Sequence, residues 1–142
     1  MIVIDANVLL YAYNADAPEH AASAAWLERT LSGIEAIGIP LASVWAFLRV
    51  STSGRLRANP LPVGAAFEIV REWLDRPGVT LLQAGPRHLE LLEDLLTRYK
   101  VTGPLITDAV IAALALEHGA TVASADRDFA RFDTLKWVNP TS

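Results

Sequence analysis

Met1-Ile2-Val3-Ile4-Asp5-Ala6-Asn7 opens the chain with a short apolar strand that ends on an aspartate and passes directly into a helical stretch, Ala6 to Tyr13. A strand that feeds straight into a helix is the opening of an α/β unit. The same junction recurs far downstream, where Thr121-Val122-Ala123 runs into Ser124-Ala125-Asp126-Arg127-Asp128. In an open α/β sheet, residues just past the carboxyl ends of parallel strands gather at one rim, where ligands bind. A third acid, Asp108, heads an otherwise apolar helix. Carboxylates gathered at one rim repel one another, and a divalent cation holds them ionised. Oxygen-only sites of this kind select Mg²⁺ or Mn²⁺, so the pattern points to metal-assisted chemistry on phosphate esters.

The segments between the two junctions complete the pattern. A helix is predicted from Pro18 to about Leu31, stopped by Gly33, and a second strand from Ile34 to Ile39, weakened by Glu35 and Gly38. Pro40 opens a helix through Val50, ended by Ser51-Thr52-Ser53-Gly54-Arg55, and Asn59-Pro60-Leu61-Pro62 is a rigid connector. Helical spacing of Ala66, Phe67, Val70, Trp73 and Leu74 predicts a helix over Val63 to Leu74. A third strand follows at Val79 to Leu82, then a helix from about Pro86 to Tyr99 with Leu89, Leu92, Leu95 and Leu96 on one stripe. The helix from Pro104 to His118 is apolar nearly all round and should be buried on most sides. The last strands are Thr121 to Ala123 and Lys136 to Val138. Strands separated by helices throughout predict an α/β fold, with a mostly parallel sheet of about four to five strands flanked by helices.

At 142 residues without a Pro/Gly/Ser-rich linker, the chain is expected to form one domain, residues 1–142. Hydrophobic residues make up 52% of it, enough for a substantial core, and the absence of cysteine excludes disulfides, thiolate nucleophiles and Cys-based zinc sites. The N-terminus has no basic leader and no apolar stretch reaches the length of a membrane span, so a cytoplasmic protein is expected. A net charge of −4 argues against coating nucleic acid by bulk electrostatics, but it permits a local grip on RNA. Arg49, Arg55 and Arg57 form the one compact basic group in the first half of the chain; such arginines either contact phosphate or solvate a surface.

Each acid also has an ordinary structural role open to it. Asp5 and Asp126 can cap the segments that follow them. Asp108 is harder to explain that way, because a buried carboxylate without a partner costs several kcal/mol. A buried arginine, the helix dipole or a shared metal would have to compensate it. Asn7, Thr107 and Ser124 accompany the acids, either orienting carboxylates or capping helices, with Thr107 a ready N-cap for the apolar helix. Trp26, Trp45 and Trp73 lie on apolar faces suited to core or dimer packing, and His20, His88 and His118 show no metal-site or triad spacing.

Three stretches together resemble a known family. Asp5-Ala-Asn-Val-Leu-Leu-Tyr, Thr107-Asp-Ala-Val-Ile-Ala-Ala-Leu-Ala with Glu117-His-Gly-Ala, and Ser124-Ala-Asp-Arg-Asp-Phe-Ala-Arg-Phe are similar to PIN-domain ribonucleases, and most of all to VapC toxins of type II toxin–antitoxin operons. The resemblance implies a PIN-like fold and an endoribonuclease dependent on Mg²⁺ or Mn²⁺. It further implies an enzyme inhibited by a VapB-like antitoxin, forming a homodimer or a hetero-oligomer with that antitoxin. It assigns Asp5, Asp108 and Asp126 as metal ligands, with Asp128 completing the catalytic acids and Asn7, Thr107 and Ser124 on supporting positions. One position departs from the pattern: in Val44-Trp45-Ala46-Phe47-Leu48-Arg49, Ala46 stands where the family often carries glutamate.

The chemistry so implied is phosphodiester hydrolysis, leaving a 5′-phosphate and a 3′-hydroxyl. Asp126 or Asp128 would orient or deprotonate the attacking water, while Arg49 and Arg55 hold RNA backbone, preferably in an unpaired loop. Two other classes compete with it. Ala46 favours a PIN-like module that binds RNA or protein without turnover. A phosphatase forming an aspartyl-phosphate on Asp5 would need a second aspartate two residues on, where the chain has Asn7.

Overall fold

The computed structural model describes residues 1–142. Five short strands, β1 (Ile2–Ile4), β2 (Ile37–Pro40), β3 (Val79–Leu82), β4 (Thr121–Ala123) and β5 (Lys136–Val138), pair in the order β3-β2-β1-β4-β5. Every pairing is parallel, and β1 lies beside β4 with Ile2, Val3 and Ile4 opposite Thr121, Val122 and Ala123. From β1 the chain steps outward through β2 to β3, then returns across the sheet to β4 on the other side of β1. The order therefore reverses between β1 and β4, the switch point at which the carboxyl ends of such sheets open a crevice.

Six helices cover the sheet: α1 (Ala6–Ala12), α2 (His20–Leu31), α3 (Leu41–Ser51), α4 (Val63–Leu74), α5 (His88–Arg98) and α6 (Ile106–Glu117). Because strand side chains alternate between faces, neighbouring residues of β1 enter different cores. Ile4 packs with Val8, Leu27, Phe47, Val70 and Trp73 from α1 to α4. Val3 packs with Leu95, Ala109, Ala112 and Phe129 from α5, α6 and the segment after β4. Helices on two faces follow from right-handed crossovers, which must change face when the chain reverses its direction across the sheet.

On the first face, Tyr13, Phe47 and Trp73 form an aromatic cluster with ring centroids 4.8–5.8 Å apart, and Trp73 Nε1 donates to Tyr13 Oη at 3.0 Å. This joins the end of α1 to α3 and α4 through edge-on and tilted ring contacts. On the second face, α6 is buried at Ala109 and from Ile111 through Ala115, as its all-round apolar sequence predicts.

The strands over Val79–Leu82, Thr121–Ala123 and Lys136–Val138 and the helix over Val63–Leu74 match the sequence expectation. Elsewhere the boundaries move for identifiable reasons. β2 begins at Ile37 rather than Ile34, because Ile34 lies wholly in solvent and Ala36 is already the acceptor for Ile2 N–H. Gly38 is a requirement of this strand, since a Cβ there would collide with the Leu82 side chain. Pro40 closes β2 and is also the N-cap of α3, its extended backbone leading into the helix.

Helix α2 starts at His20, after a turn through Pro18, and α5 at His88 rather than Pro86. A 3-10 turn, Gly103–Leu105, precedes α6, so Leu105 is the N-cap and exposed Thr107 lies inside the helix instead of capping it. Leu89 is exposed, contrary to the packing its stripe suggests; Trp45 is exposed and so no part of the chain's own core, whereas Trp73 is core.

Candidate active site at the strand switch point

The switch point between β1 and β4 brings together residues 119 apart in sequence. Ser124, fully buried, donates from Oγ to Asp5 Oδ2 at 2.7 Å and accepts from the Asp126 amide at 3.0 Å. Asn7 closes the network: its Nδ2 donates to Ser124 Oγ at 3.1 Å and to Asp5 Oδ2 at 3.4 Å, while its Oδ1 accepts from the Ala125 amide at 3.1 Å. Ser124 is itself fixed from the far side, because its amide donates to Val138 O and its carbonyl accepts from Trp137 Nε1 at 2.9 Å. Strand β5 thereby positions a residue that contacts the acids without contributing one.

The capping and acidic roles weighed from sequence coexist. Asp5 is the N-cap of α1, accepting from the Ala6 amide at 2.8 Å through Oδ1. Asp126 caps the 3-10 helix Arg127–Arg131, accepting from the Asp128 amide at 2.9 Å through Oδ1. Each strand-end aspartate thus spends one oxygen on backbone geometry and is held in place by it.

Asp108 comes from the other face of the sheet, in the first turn of α6. It meets Asp126 and Asp128, and one carboxylate oxygen of each lies within 4.8 Å of the other two. Asp5 stands beside this trio rather than in it, with both oxygens engaged in the hydrogen bonds above. Burial is the largest influence on Asp108, followed by the charges of Asp126 and Asp5, and together they push its pKa from 3.8 to about 7. Burial also raises Asp5 above the ordinary carboxylate range, against the opposing hydrogen bonds from Ser124 and Ala6.

The single ion pair within the cluster is Arg131 Nη2 to Asp128 Oδ1 at 3.4 Å, aided by Arg131 Nε on the Asp128 carbonyl. Asp5, Asp108 and Asp126 have no cationic partner. An all-carboxylate donor set, close-packed and short of positive charge, fits a hard divalent cation. Arg131 escaped the sequence reading, although its position three residues after Asp128, in a short helix, was the available signal.

The other expected residues fall as follows. Arg49, in the last turn of α3, and Arg55, in the loop beyond it, are both exposed. Arg57 turns inward, donating from Nη2 to Tyr13 O at the end of α1, and so belongs to the scaffold. Ala46 is half-buried one turn after Ser43, whose hydroxyl donates to Ile4 O at 3.0 Å. That face of α3 therefore lies against the end of β1, and Ala46, one turn on, brings no carboxylate to it.

The chain matches the PIN domain over residues 2–135. It belongs to the PIN-domain family. Its relatives include the ribonucleases VapC33 and VapC37 of Mycobacterium tuberculosis, 44% and 40% identical over 140 residues; these alignments cover 99% of this chain and 98% and 97% of those proteins. The fold superposes on VapBC2 of Rickettsia felis with a TM-score of 0.71, covering 98% of both chains at 20% identity. It also superposes on VapBC-1 of nontypeable Haemophilus influenzae with a TM-score of 0.71 at 16% identity, covering all of both chains. This PIN domain is thus closely related to VapC ribonucleases and shares its fold with a chain of each of these VapBC complexes.

Proposed function

We propose that this PIN domain is a Mg²⁺- or Mn²⁺-dependent endoribonuclease, the toxin of a toxin–antitoxin pair. The observation that carries the proposal is the trio of Asp108, Asp126 and Asp128, drawn together from α6 and the segment after β4 and left without compensating cations save Arg131. Relatives at 40% identity and above over nearly their whole length are named ribonucleases, which supplies the substrate class.

In this mechanism Asp108 and Asp126 hold the ion with Asp5 beside them, and Asp128 completes the acidic wall. When bound, the ion supplies Lewis acidity toward a phosphate oxygen and lowers the pKa of water. Ser124 and Asn7 fix the Asp5 carboxylate, so that its position does not depend on substrate. Asp128, held by Arg131, is the acid best placed to accept the proton of an attacking water, since it is half-exposed and not buried under the sheet edge. Arg49 and Arg55 serve as contacts for RNA backbone, and an unpaired segment suits the open rim.

The regulatory half of the proposal is a VapB-like antitoxin, in keeping with structural neighbours that are toxin–antitoxin complexes, and assembly with that partner or as a homodimer. No helix of the chain is long and apolar enough to cross a membrane.

Ala46 favours a second reading, a PIN domain that binds RNA without turnover, because it removes an acid from α3. One experiment separates the two. Purified protein incubated with a mixed RNA pool is expected to cleave it with Mg²⁺ and not with chelator, and Asp108→Asn is expected to abolish cleavage. Intact RNA throughout supports the binding module, and activity that survives both Asp5→Asn and Asp108→Asn refutes the site assignment.

A further inference from the structure

Ser124 alone bonds to both strand-end acids, donating to the Asp5 carboxylate and accepting from the Asp126 amide, and its own backbone is held by a side chain where a strand would normally hold it. Strands β4 and β5 run parallel with Val122 opposite Trp137 and Ala123 opposite Val138, and the ladder goes one bond further, from the Ser124 amide to Val138 O at 3.0 Å. In a parallel ladder the next donor, toward Ser124 O, is the amide two residues beyond Val138. That residue is Pro140, which has no N–H. The Trp137 indole fills the gap. Its Nε1 donates to Ser124 O at 2.9 Å, and because Ser124 is fully buried, no water could take its place.

This bond reaches beyond the strand, because the Ser124 carbonyl and the Ala125 amide belong to one planar peptide unit. Trp137 holds the oxygen side of that plane, and Asn7 Oδ1 holds the nitrogen side at 3.1 Å. The other end of the Asn7 amide donates to Ser124 Oγ and to Asp5 Oδ2. Ser124 Oγ itself lies 2.7 Å from Asp5 Oδ2 and 3.0 Å from the Asp126 amide. Every link from the indole to the two acids is therefore a hydrogen bond or a rigid peptide. Trp137 does not rest on the acids in return. It is half-buried and packs against the core on the second face of the sheet, so the chain of contacts is anchored outside the rim.

Resting on the metal-site reading above, we infer that Trp137 is a positioning residue for that site. Its indole N–H, standing in for the amide that Pro140 lacks, locks the Ser124–Ala125 peptide and through it the placement of Asp5 and Asp126. Trp137 acts through other residues and not on the reacting atoms, so it governs how tightly the acids hold a cation while leaving the grip on RNA alone.

The test uses the full chain, with Mn²⁺ binding measured by calorimetry in the absence of RNA and cleavage of a random-sequence single-stranded RNA pool measured in Mg²⁺. Trp137→Phe keeps an aromatic ring against the core and deletes the donor. It is expected to weaken Mn²⁺ binding about tenfold and to lower kcat by a similar factor, with KM for RNA changed less than about twofold. Trp137→His gives up the larger ring but can return an N–H at the place of Nε1, and is expected to recover most of the Mn²⁺ affinity while melting at a lower temperature. The reverse order, with affinity kept in Trp137→Phe and lost in Trp137→His, means that Trp137 only packs and overturns the inference. A second measurement needs no substitution: in isotope-labelled wild type, Mg²⁺ is expected to shift the indole N–H resonance of Trp137 and to leave those of Trp26, Trp45 and Trp73 in place. An unmoved Trp137 resonance in protein that binds the ion overturns the inference, even if neither variant folds. Wild type that binds no Mn²⁺ overturns it together with the metal site, whereas wild type that binds Mn²⁺ and leaves the pool intact overturns the nuclease assignment alone.

Discussion

Asp108 and Glu117 are carboxylates at opposite ends of α6, and their surroundings are opposites. Glu117 is answered by backbone: Oε1 accepts from the Gly85 amide at 3.0 Å and Oε2 from the Arg87 amide at 3.2 Å, pinning the segment between β3 and α5. Asp108 is answered by other acids, and its pKa climbs to about 7. One end of the helix is electrostatically finished and the other is unfinished. A carboxylate left among carboxylates in a folded chain is a donor set suited to a divalent cation, whereas one paired with amides signals architecture.

The comparison breaks most sharply under substitution at Asp108. Asp108→Asn is expected to lower RNA cleavage by more than about 100-fold, measured as initial rate in Mg²⁺, while the fold survives because the change relieves repulsion. Retained cleavage would make the unfinished end as structural as the other. Glu117→Ala should do the reverse, leaving the cleavage rate near wild type and costing about 1–3 kcal/mol of stability in urea denaturation, because two amides lose their acceptor.

Gly85 sharpens the architectural side of the contrast. A Cβ there would collide with the Glu117 carboxylate, so Gly85→Ala is expected to cost about 1 kcal/mol or more in the native chain and less in a Glu117→Ala background. Additive losses in the double-mutant cycle would mean that the two residues do not meet.

The smallest effect is the dependence of stability on pH. Asp108 binds its proton more tightly folded, at about 7, than at its ordinary 3.8. Its contribution is therefore complete below pH 3.8 and is lost as pH rises through about 7. With solvent screening the loss should stay within about 1 kcal/mol. Melting temperature in chelator is expected to fall across that window, to level out in Asp108→Asn, and to recover on adding Mg²⁺ at the alkaline end. A slope that persists in Asp108→Asn would assign the effect to another group.

The same contrast explains what was legible in the sequence. The strand-to-aspartate junctions at Asp5 and Asp126 were visible because strand, cap and turn are local events, and so the alternation of strands and helices was visible too. Asp108 stood out because an acid in an apolar helix conflicts with its surroundings. What stayed hidden was non-local. Nothing around Glu117 announces that it bonds Gly85 and Arg87, which are distant in sequence. The exposure of Leu89 was equally invisible, because helical spacing defines a stripe without saying whether another element covers it. Ile34 misled for a related reason: its apolar side chain suggested a strand, but pairing with β1 begins only at Ala36 and Ile37. Which of the clustered acids stand closest required the strand order, since Asp5 and Asp126 follow neighbouring strands while Asp108 arrives on α6.

The Asp5 to Ser124 hydrogen bond spans nearly the whole chain, and it sets a schedule as well as a geometry. During synthesis the N-terminal strand and its helices emerge first and can pack on their own face of the sheet. Strand β4 and the acids behind it are made after β1, β2 and β3, and β1 has no neighbour on that side until they arrive. A nascent or truncated chain that stops short of β4 therefore carries Asp5 without Asp126 and Asp128, and any activity that needs the assembled rim begins only once those acids have been made.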